Sequence, residues 1–353
     1  GSVPDSGRTR NPAGNKFSSF AEFLEAAPAD RPFCYWYSSR EPHVPWTEGA
    51  EFLPALDPTA VPIPPHLPDD PAVRRDLIGY YAEVQTFDRD CARHLELLES
   101  RRGSEETFIV MTGDNGWQMP RGLAHIYDDG TRVPLTIVWP GVVSPGRVVE
   151  SFVSFEDFAP TFRELAGITD EVPTDGRSLL PFLTDPSAEG RDHIFLERER
   201  HANVRRGDLT YPVRAIRTAD WLYVRNLAPD RWPAGDPEFY FSVGPYGDVD
   251  NSLTKELLLA EPRLPRFERS FQLVFGKRPA EELYDLRRDP GQVRNIAAAP
   301  ESAETLQRLR SEVEDWMRRT DDPRVDPAYD GFDRYPYYGA SRRQAPPAGE
   351  VRP

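Results

Sequence analysis

The stretch Thr107-Phe108-Ile109-Val110-Met111-Thr112-Gly113-Asp114-Asn115-Gly116 decides the predicted fold. Its first five residues form a short apolar run of the kind found in a buried strand. The run ends at a glycine-flanked turn that holds a carboxylate and a carboxamide. In an open α/β sheet, ligands bind at the carboxyl ends of the strands. The stretch therefore predicts a sheet strand whose end lies at a binding edge.

The segments on either side of this stretch favour an α/β sheet. Before it, Pro71 to Ser100 has apolar residues at helical spacing, which predicts one long helix. The apolar runs Pro32 to Ser38 and Pro134 to Trp139 predict two further strands. Strands separated by a long helix are typical of parallel connections. We therefore expect a mostly parallel sheet flanked by helices.

The pattern changes near residue 190. Four short alternating segments predict an antiparallel sheet, and one amphipathic segment predicts a helix that covers it. The four strands are expected at Arg191–Leu196, Val213–Arg217, Trp221–Asn226 and Glu282–Leu286, and the helix at Glu301–Arg319. We predict three regions: a catalytic-domain portion at 1–190, a small α+β subdomain at 191–320 and an extended tail at 321–353.

Composition excludes some classes of function. The chain has 353 residues and a net charge of −15, which argues against nucleic-acid binding because phosphate contacts need a basic surface. The sequence has no apolar run of about 18 residues that could span a membrane. Cys34 and Cys91 lie outside any C-x-x-C pair, so buried thiols are the simplest interpretation. The first residues contain no visible export signal.

Asp114 and Asn115 are the first candidate site residues. Their side chains supply two hard oxygen ligands that can face the same point, which suits Ca²⁺ or Mg²⁺ better than Zn²⁺. An ordinary Asp-Asn-Gly turn that binds no metal is the alternative.

Three basic residues are candidates for contact with an anion. His43 follows a predicted strand on a proline-rich loop, where it could donate a proton. Arg121 and His125 follow the Asp114 turn within 11 residues. Each alone is more often structural or solvated. Together with the acidic turn they predict a site for a multiply charged anion.

The order and spacing of several motifs resemble the type I sulfatases, and most closely the heparan N-sulfatase (sulfamidase) group with its bacterial relatives. The motifs are Pro42-His43-Val44-Pro45, Thr112 to Gly116, Tyr127 to Leu135 with Trp139-Pro140-Gly141, Ser154 to Thr161, Asp175 to Leu180, Tyr211 to Arg214, and Glu282 to Leu286 with Asp289-Pro290. Each motif is weak alone. The resemblance extends from Phe33 to Pro323.

This resemblance implies an alkaline-phosphatase-like fold that acts on a sulfated saccharide. It implies that Asp114 and Asn115 ligate Ca²⁺, with Mg²⁺ the weaker candidate, and that His43 contacts the sulfate or assists the leaving group. Glu199 and His201 would read the sugar. The resemblance also implies a periplasmic or secreted location and leaves a homodimer open.

Two departures from the family pattern stand out. The family's C-x-P-S-R motif, whose cysteine becomes the formylglycine nucleophile, and its N-terminal Asp-Asp metal pair are both absent. We therefore expect a missing N-terminal segment or chain to supply them, and residues 1 to 353 alone to be inactive. The second departure is Leu123, which stands where relatives carry a cation for the sulfate. Arg121 or His125 could substitute for that cation.

Two alternative functions remain open from the sequence. The first is a phosphate or phosphonate ester hydrolase of the same superfamily. The second is a catalytically silent protein that only binds acidic glycans.

Overall fold

The computed structural model describes residues 15–46, 57–101, 103–169, 172–185, 187–238 and 244–337. The helices are α1 (Phe20–Ala26), α2 (Pro71–Glu99), α3 (Asp128–Thr131), α4 (Phe158–Leu165), α5 (Leu180–Thr184), α6 (Leu253–Ala260), α7 (Pro265–Phe275) and α8 (Ala303–Arg319). The strands are β1 (Ile109–Thr112), β2 (Leu135–Val138), β3 (His193–Arg198), β4 (Val213–Thr218), β5 (Trp221–Asn226) and β6 (Glu281–Asp285). In the described ranges, no helix is both long and apolar enough to cross a membrane.

Helix α2 forms where the apolar spacing predicted it. Asp70 caps its first turn by accepting a hydrogen bond from the Ala72 amide at 3.0 Å, and Pro71 occupies the first helical position. Val73 and Leu77 on one face are fully buried. They pack into a core shared with α6 and α7, two helices that the sequence analysis did not predict. Asp76 of α2 accepts the Thr254 amide at 2.6 Å, which fixes the start of α6.

The predicted parallel connection between the strands is wrong for β1 and β2. These strands pair antiparallel, with Thr112 opposite Leu135. A parallel pair needs a crossover of a dozen or more residues, usually a helix, and the intervening segment contains only the four-residue α3. Met111 and Val138 are 37% and 44% exposed, so the pair is also less buried than expected.

The predicted strand from Pro32 to Ser38 does not form. Tyr35 instead lies against Phe20 of α1, with ring centroids 4.6 Å apart, and Tyr37 lies against His94 of α2 at 4.3 Å. Trp36 between them is 80% exposed. The run is therefore only partly covered, and its partners are helices and not a sheet. Cys34 in this run is exposed, so the predicted burial of its thiol is wrong.

The C-terminal antiparallel sheet is confirmed, in the order β3-β4-β5-β6. One face packs on α8 through Ile216, Tyr223 and Leu309. The opposite face packs on residues Ile126 and Tyr127 of the segment that follows β1. The sheet is thereby covered on both sides.

The segment after α8 departs from the predicted extended tail. It forms two short 3₁₀ turns, Pro323–Val325 and Gly331–Arg334, and packs against the subdomain. Residues 338–353 of the predicted tail lie outside the described residues. The proposed division into three regions stays a prediction.

Candidate active site

Residues 113–130, which we call the site loop, connect the helical layer to the C-terminal sheet. Met119 packs in the core formed with α2, and Tyr127 packs on the sheet. The Gly116 amide donates to the Gly130 carbonyl at 3.0 Å, which closes the loop. A Cβ atom at Gly116 would lie 2.0 Å from the Asp129 carbonyl oxygen, so only glycine fits there. The position of Asp114 and Asn115 is therefore fixed from both ends of the loop.

Asp114 and Asn115 are exposed directly beyond the end of β1. Among the described residues, no hydrogen bond or ion pair occupies either side chain, so their oxygens can accept a ligand. The described ranges contain no cluster of three or more His, Cys, Asp or Glu side chains that could hold a metal. Calcium takes six to eight oxygen ligands. Asp114 and Asn115 fit part of such a site, since their side-chain oxygens could supply two of its ligands.

His43 is exposed and its segment is tied to the site loop. Its Nδ1 lies 2.6 Å from the Val44 carbonyl oxygen. The Val44 amide donates to Gln118 Oε1 at 2.8 Å, and Gln118 Nε2 donates to Asp250 Oδ2 at 2.6 Å. Gln118 belongs to the site loop, four residues after Asp114. Through Gln118, the structure links the segment that carries His43 to the loop that carries Asp114. That these side chains form one site stays a prediction.

Arg121 does not face solvent, contrary to the expectation that it contacts substrate. It is 1% exposed, its guanidinium donates to the carbonyls of Gly291 and Gln292, and it stacks on the Tyr127 ring at 3.7 Å. An arginine so engaged holds the site loop against the 289–292 turn. It is a poor replacement for the cation absent at Leu123.

His125 is also buried, at 5% exposure. Its Nδ1 lies 3.2 Å from the Leu123 carbonyl oxygen. Burial, and next the positive charges of Arg198 and Arg278, hold the pKa of His125 well below its ordinary value. The ring is therefore neutral and internal, so the expectation that it binds a substrate anion is not supported.

His201 projects from the loop after β3 and is 43% exposed at its side chain. Its Nδ1 lies 3.1 Å from Asp248 Oδ1, and Asp248 is fully buried. Arg198 and Arg205 also donate to Asp248. Burial alone would raise the pKa of Asp248, but these cations and the His201 hydrogen bond outweigh it and hold that pKa far below its usual range. His201 is thus oriented by a permanently charged partner.

Glu199 does not face a ligand, although the resemblance implied that it reads the sugar. Its carboxylate accepts from Arg214 at 2.9 Å and from Arg324 at 2.6 Å. Both partners are nearly buried, so Glu199 is part of an internal ion-pair network. Its role in the structure is to hold the loop that carries His201.

The segment 244–251 connects these parts and was missed in the sequence analysis. Asp248 anchors His201, and Asp250, two residues on, anchors Gln118 and through it the His43 segment. The two acidic residues at alternate positions in Asp248-Val249-Asp250 were the available signal. Nothing in that pattern alone distinguishes them from solvated side chains.

Comparison with known proteins decides the family. Residues 16–168 match the sulfatase family, and residues 113–233 match the C-terminal region of N-sulphoglucosamine sulphohydrolase. The chain belongs to the sulfatase family. Two ulvan-active sulfatases of Formosa agariphila are 30% and 25% identical to this sulfatase chain, over 72% and 86% of its length and over 40% and 55% of their own.

The human N-sulphoglucosamine sulphohydrolase is 30% identical to this sulfatase chain over 77% of it and 53% of the relative. The chain thus spans about half the length of the curated relatives it matches. Solved structures agree on the fold. A 2-O GAG sulfatase aligns with a TM-score of 0.52 and 20% identity over 71% of this chain and 45% of that one.

A structure from work on glycosaminoglycan metabolism by Bacteroides thetaiotaomicron aligns with a TM-score of 0.53 and 19% identity, over 84% of this sulfatase chain and 56% of that chain. These likenesses confirm the α/β, alkaline-phosphatase-like fold with its small antiparallel sheet.

Proposed function

We propose that the protein containing this chain is a calcium-dependent sulfatase that hydrolyses a sulfate ester or sulfamate on a saccharide. The observation that carries the proposal is the pair Asp114 and Asn115, which present free side-chain oxygens at the end of β1 beside the His43 segment. Membership of the sulfatase family supports it, as do relatives named for ulvan and for N-sulphoglucosamine. The formylglycine nucleophile would lie outside residues 1–353.

Asp114 and Asn115 would bind calcium through one carboxylate and one amide oxygen. A calcium ion at this point supplies charge stabilisation for the sulfuryl oxygens. The carboxylate also contributes the negative charge that a divalent cation requires. The closed site loop holds the backbone of both residues in place, so the ordering left for the moment of binding is that of their side chains.

His43 would serve the leaving group through its Nε2 atom. Because Nδ1 faces the Val44 carbonyl, Nδ1 is assigned as the protonated nitrogen of the neutral ring. The lone pair of a neutral ring then lies on Nε2, and the imidazolium carries a second N–H there. That atom can therefore hold a proton and give it to a departing oxygen or nitrogen.

His201 would contact the sugar. Its Nδ1 donates to Asp248, so the neutral ring presents Nε2 as an acceptor for a sugar hydroxyl. Asp248 and Asp250 lie on one segment, which sets His201 and the His43 segment in a fixed relation.

The test is turnover by the full-length protein. It should hydrolyse an aryl sulfate and a panel of sulfated saccharides. Asp114→Ala should lower both rates by more than about 100-fold, because mutation of residues that only hydrogen-bond to a metal ligand already lowers metal affinity or activity about 10–100-fold. Asp88→Ala on α2, also an exposed aspartate, is the matched control and should keep the parent rate. Faster hydrolysis of phosphate or phosphonate esters than of any sulfate would refute the proposal. So would saccharide binding without turnover.

A further inference from the structure

The loop that presents His201 is long and makes few contacts within itself. It leaves β3 at Glu199 and rejoins the chain at Tyr211, whose amide donates to the Glu199 carbonyl at 2.6 Å. Between these ends, Arg200 donates to the Asp208 carbonyl at 2.7 Å, and Arg205 reaches Asp248. We call residues 199–211 the recognition loop. Outside contacts hold its middle: Asp236 bonds to Val204 and to the Arg206 amide. Its two ends depend on a different part of the chain.

The segment from Asp322 to Tyr335, which we call the C-terminal strap, packs against the two ends of this loop. Arg324 forms a two-point ion pair with Glu199, at 3.1 Å from Nε and 2.6 Å from Nη2. The same guanidinium donates to the Thr210 hydroxyl at 3.1 Å. Arg324 therefore joins both ends of the recognition loop. A planar guanidinium suits this task because its donors are fixed in one plane.

Asp333 makes the second attachment. Its Oδ1 accepts from the Thr210 amide at 2.8 Å, the Thr210 hydroxyl at 2.6 Å and Arg231 at 2.9 Å. Its Oδ2 accepts from Arg231 at 2.8 Å, and the side chain is 10% exposed. Burial opposes the charge, but Arg231 and Thr210 outweigh it and lower the pKa of Asp333 to about 2. Asp333 is therefore a charged acceptor for four donors at one end of the loop.

A third attachment lies beside His201 itself. Arg200 Nη2 donates to the Tyr335 carbonyl at 2.9 Å, so the residue that precedes His201 is held by the end of the strap. Arg324 in turn donates to the Tyr329 carbonyl at 2.6 Å, which keeps the strap folded. The strap contacts the loop at its two ends and next to His201. Within the part of the chain that the structure describes, no hydrogen bond or ion pair joins the strap's side chains to the site loop or to His43.

We propose that the C-terminal strap sets the affinity for the saccharide by holding the recognition loop, with Asp333 and Arg324 as positioning residues. Neither residue touches the substrate or the sulfate. Loss of the strap would free the two ends of the recognition loop while Asp248 still holds His201, so binding of a sugar would first have to order those ends. A small aryl sulfate, which has no sugar for His201 to contact, is unaffected. This inference rests on the proposed function.

The experiment uses the full-length protein with Asp333→Ala and, in the same strap, the control Asp330→Ala. Asp330 is exposed and pairs only with Arg334 among the described residues. Asp333→Ala should raise KM for a sulfated saccharide about tenfold, the effect of one lost charge-assisted contact. It should leave kcat for an aryl sulfate within about twofold and speed amide hydrogen exchange in residues 200–208. Asp333→Asn, which keeps an acceptor for Thr210 but not the charge, should fall between.

Several outcomes separate this inference from the proposed function. A parent protein that hydrolyses no sulfate refutes the proposed function, and hydrogen exchange then still decides whether the strap orders the loop. Unchanged exchange in residues 200–208 overturns the inference. So does faster exchange with the parent KM for the saccharide, or an equal loss on the aryl sulfate. If a melting experiment shows that Asp333→Ala is not folded, the same measurements are made on Asp333→Asn.

Discussion

The burial of His66 predicts that the protein loses stability in mild acid. The ring is fully buried, with Nε2 3.0 Å from the Pro120 carbonyl oxygen and Nδ1 3.7 Å from Asp129. The Pro120 contact assigns the proton to Nε2 and leaves Nδ1 as a bare lone pair. Burial, and next the charge of Arg121, lower the pKa of His66 to about 3 from 6.5. Protonation therefore places a new buried charge beside Pro120 and Asp129 of the site loop.

The sign of the effect follows from the lowered pKa. Above pH 6.5 both the folded and the unfolded states hold a neutral ring, so this stability is fully present. As pH falls below 6.5, the unfolded state binds the proton and the folded state does not. Between pH 7 and pH 5 the free energy of unfolding should fall by about 2 kcal/mol on account of His66 alone.

Urea unfolding followed by tryptophan fluorescence measures this loss. His66→Gln can still donate to the Pro120 carbonyl but cannot titrate, so its stability at pH 5 relative to pH 7 should exceed that of the parent by about 2 kcal/mol. His193→Gln, at a partly exposed histidine beside Asp192, is the control and should keep most of the parent dependence. Equal pH dependence in parent and His66→Gln would refute the reasoning, and would show that Asp129 accommodates the imidazolium.

Two further substitutions test the packing of the protein, and a third tests how the saccharide is recognised. Asp157→Ala leaves Arg191 unpaired after loss of two contacts at 2.5 and 2.7 Å, and should cost about 3 kcal/mol in chemical unfolding. Gly116→Ala sets a methyl 2.0 Å from the Asp129 carbonyl oxygen and should cost about 2 kcal/mol or more, measured the same way. Asp248→Asn removes the charge that three basic side chains share, and should raise the saccharide KM while sparing aryl sulfate turnover; an unchanged KM would contradict that role.

The fold was predictable where the signal is local. Strand β5 and helix α2 follow from alternation and helical spacing within their own residues, and both formed as predicted. The direction of β1 against β2 depends on the path of the intervening loop, which periodicity does not encode. Helix α7 was missed, and its burial depends both on the neighbouring α6 and on α2, which is distant in the sequence.

The site was predictable only for its exposed parts. Asp114 and His43 are exposed next to glycine or proline, as expected, although His43 follows no strand because the predicted strand before it does not form. Their roles stay predictions. Arg121 and His125 share the same polar pattern, yet the site loop folds inward after Pro120 and buries both. Asp248 lies 134 residues beyond Asp114, so only the tertiary structure shows its connection to the site.

Calcium dependence of turnover tests the central claim most directly. The full-length protein would be freed of metal with a chelator and its sulfatase rate followed as calcium is added back. The rate should vanish without metal and recover at saturating calcium, and Asp114→Ala should need more than about 100-fold more calcium for half recovery. A full rate in the metal-free protein would contradict the account. So would an Asp114→Ala variant that recovers at the same calcium concentration as the parent.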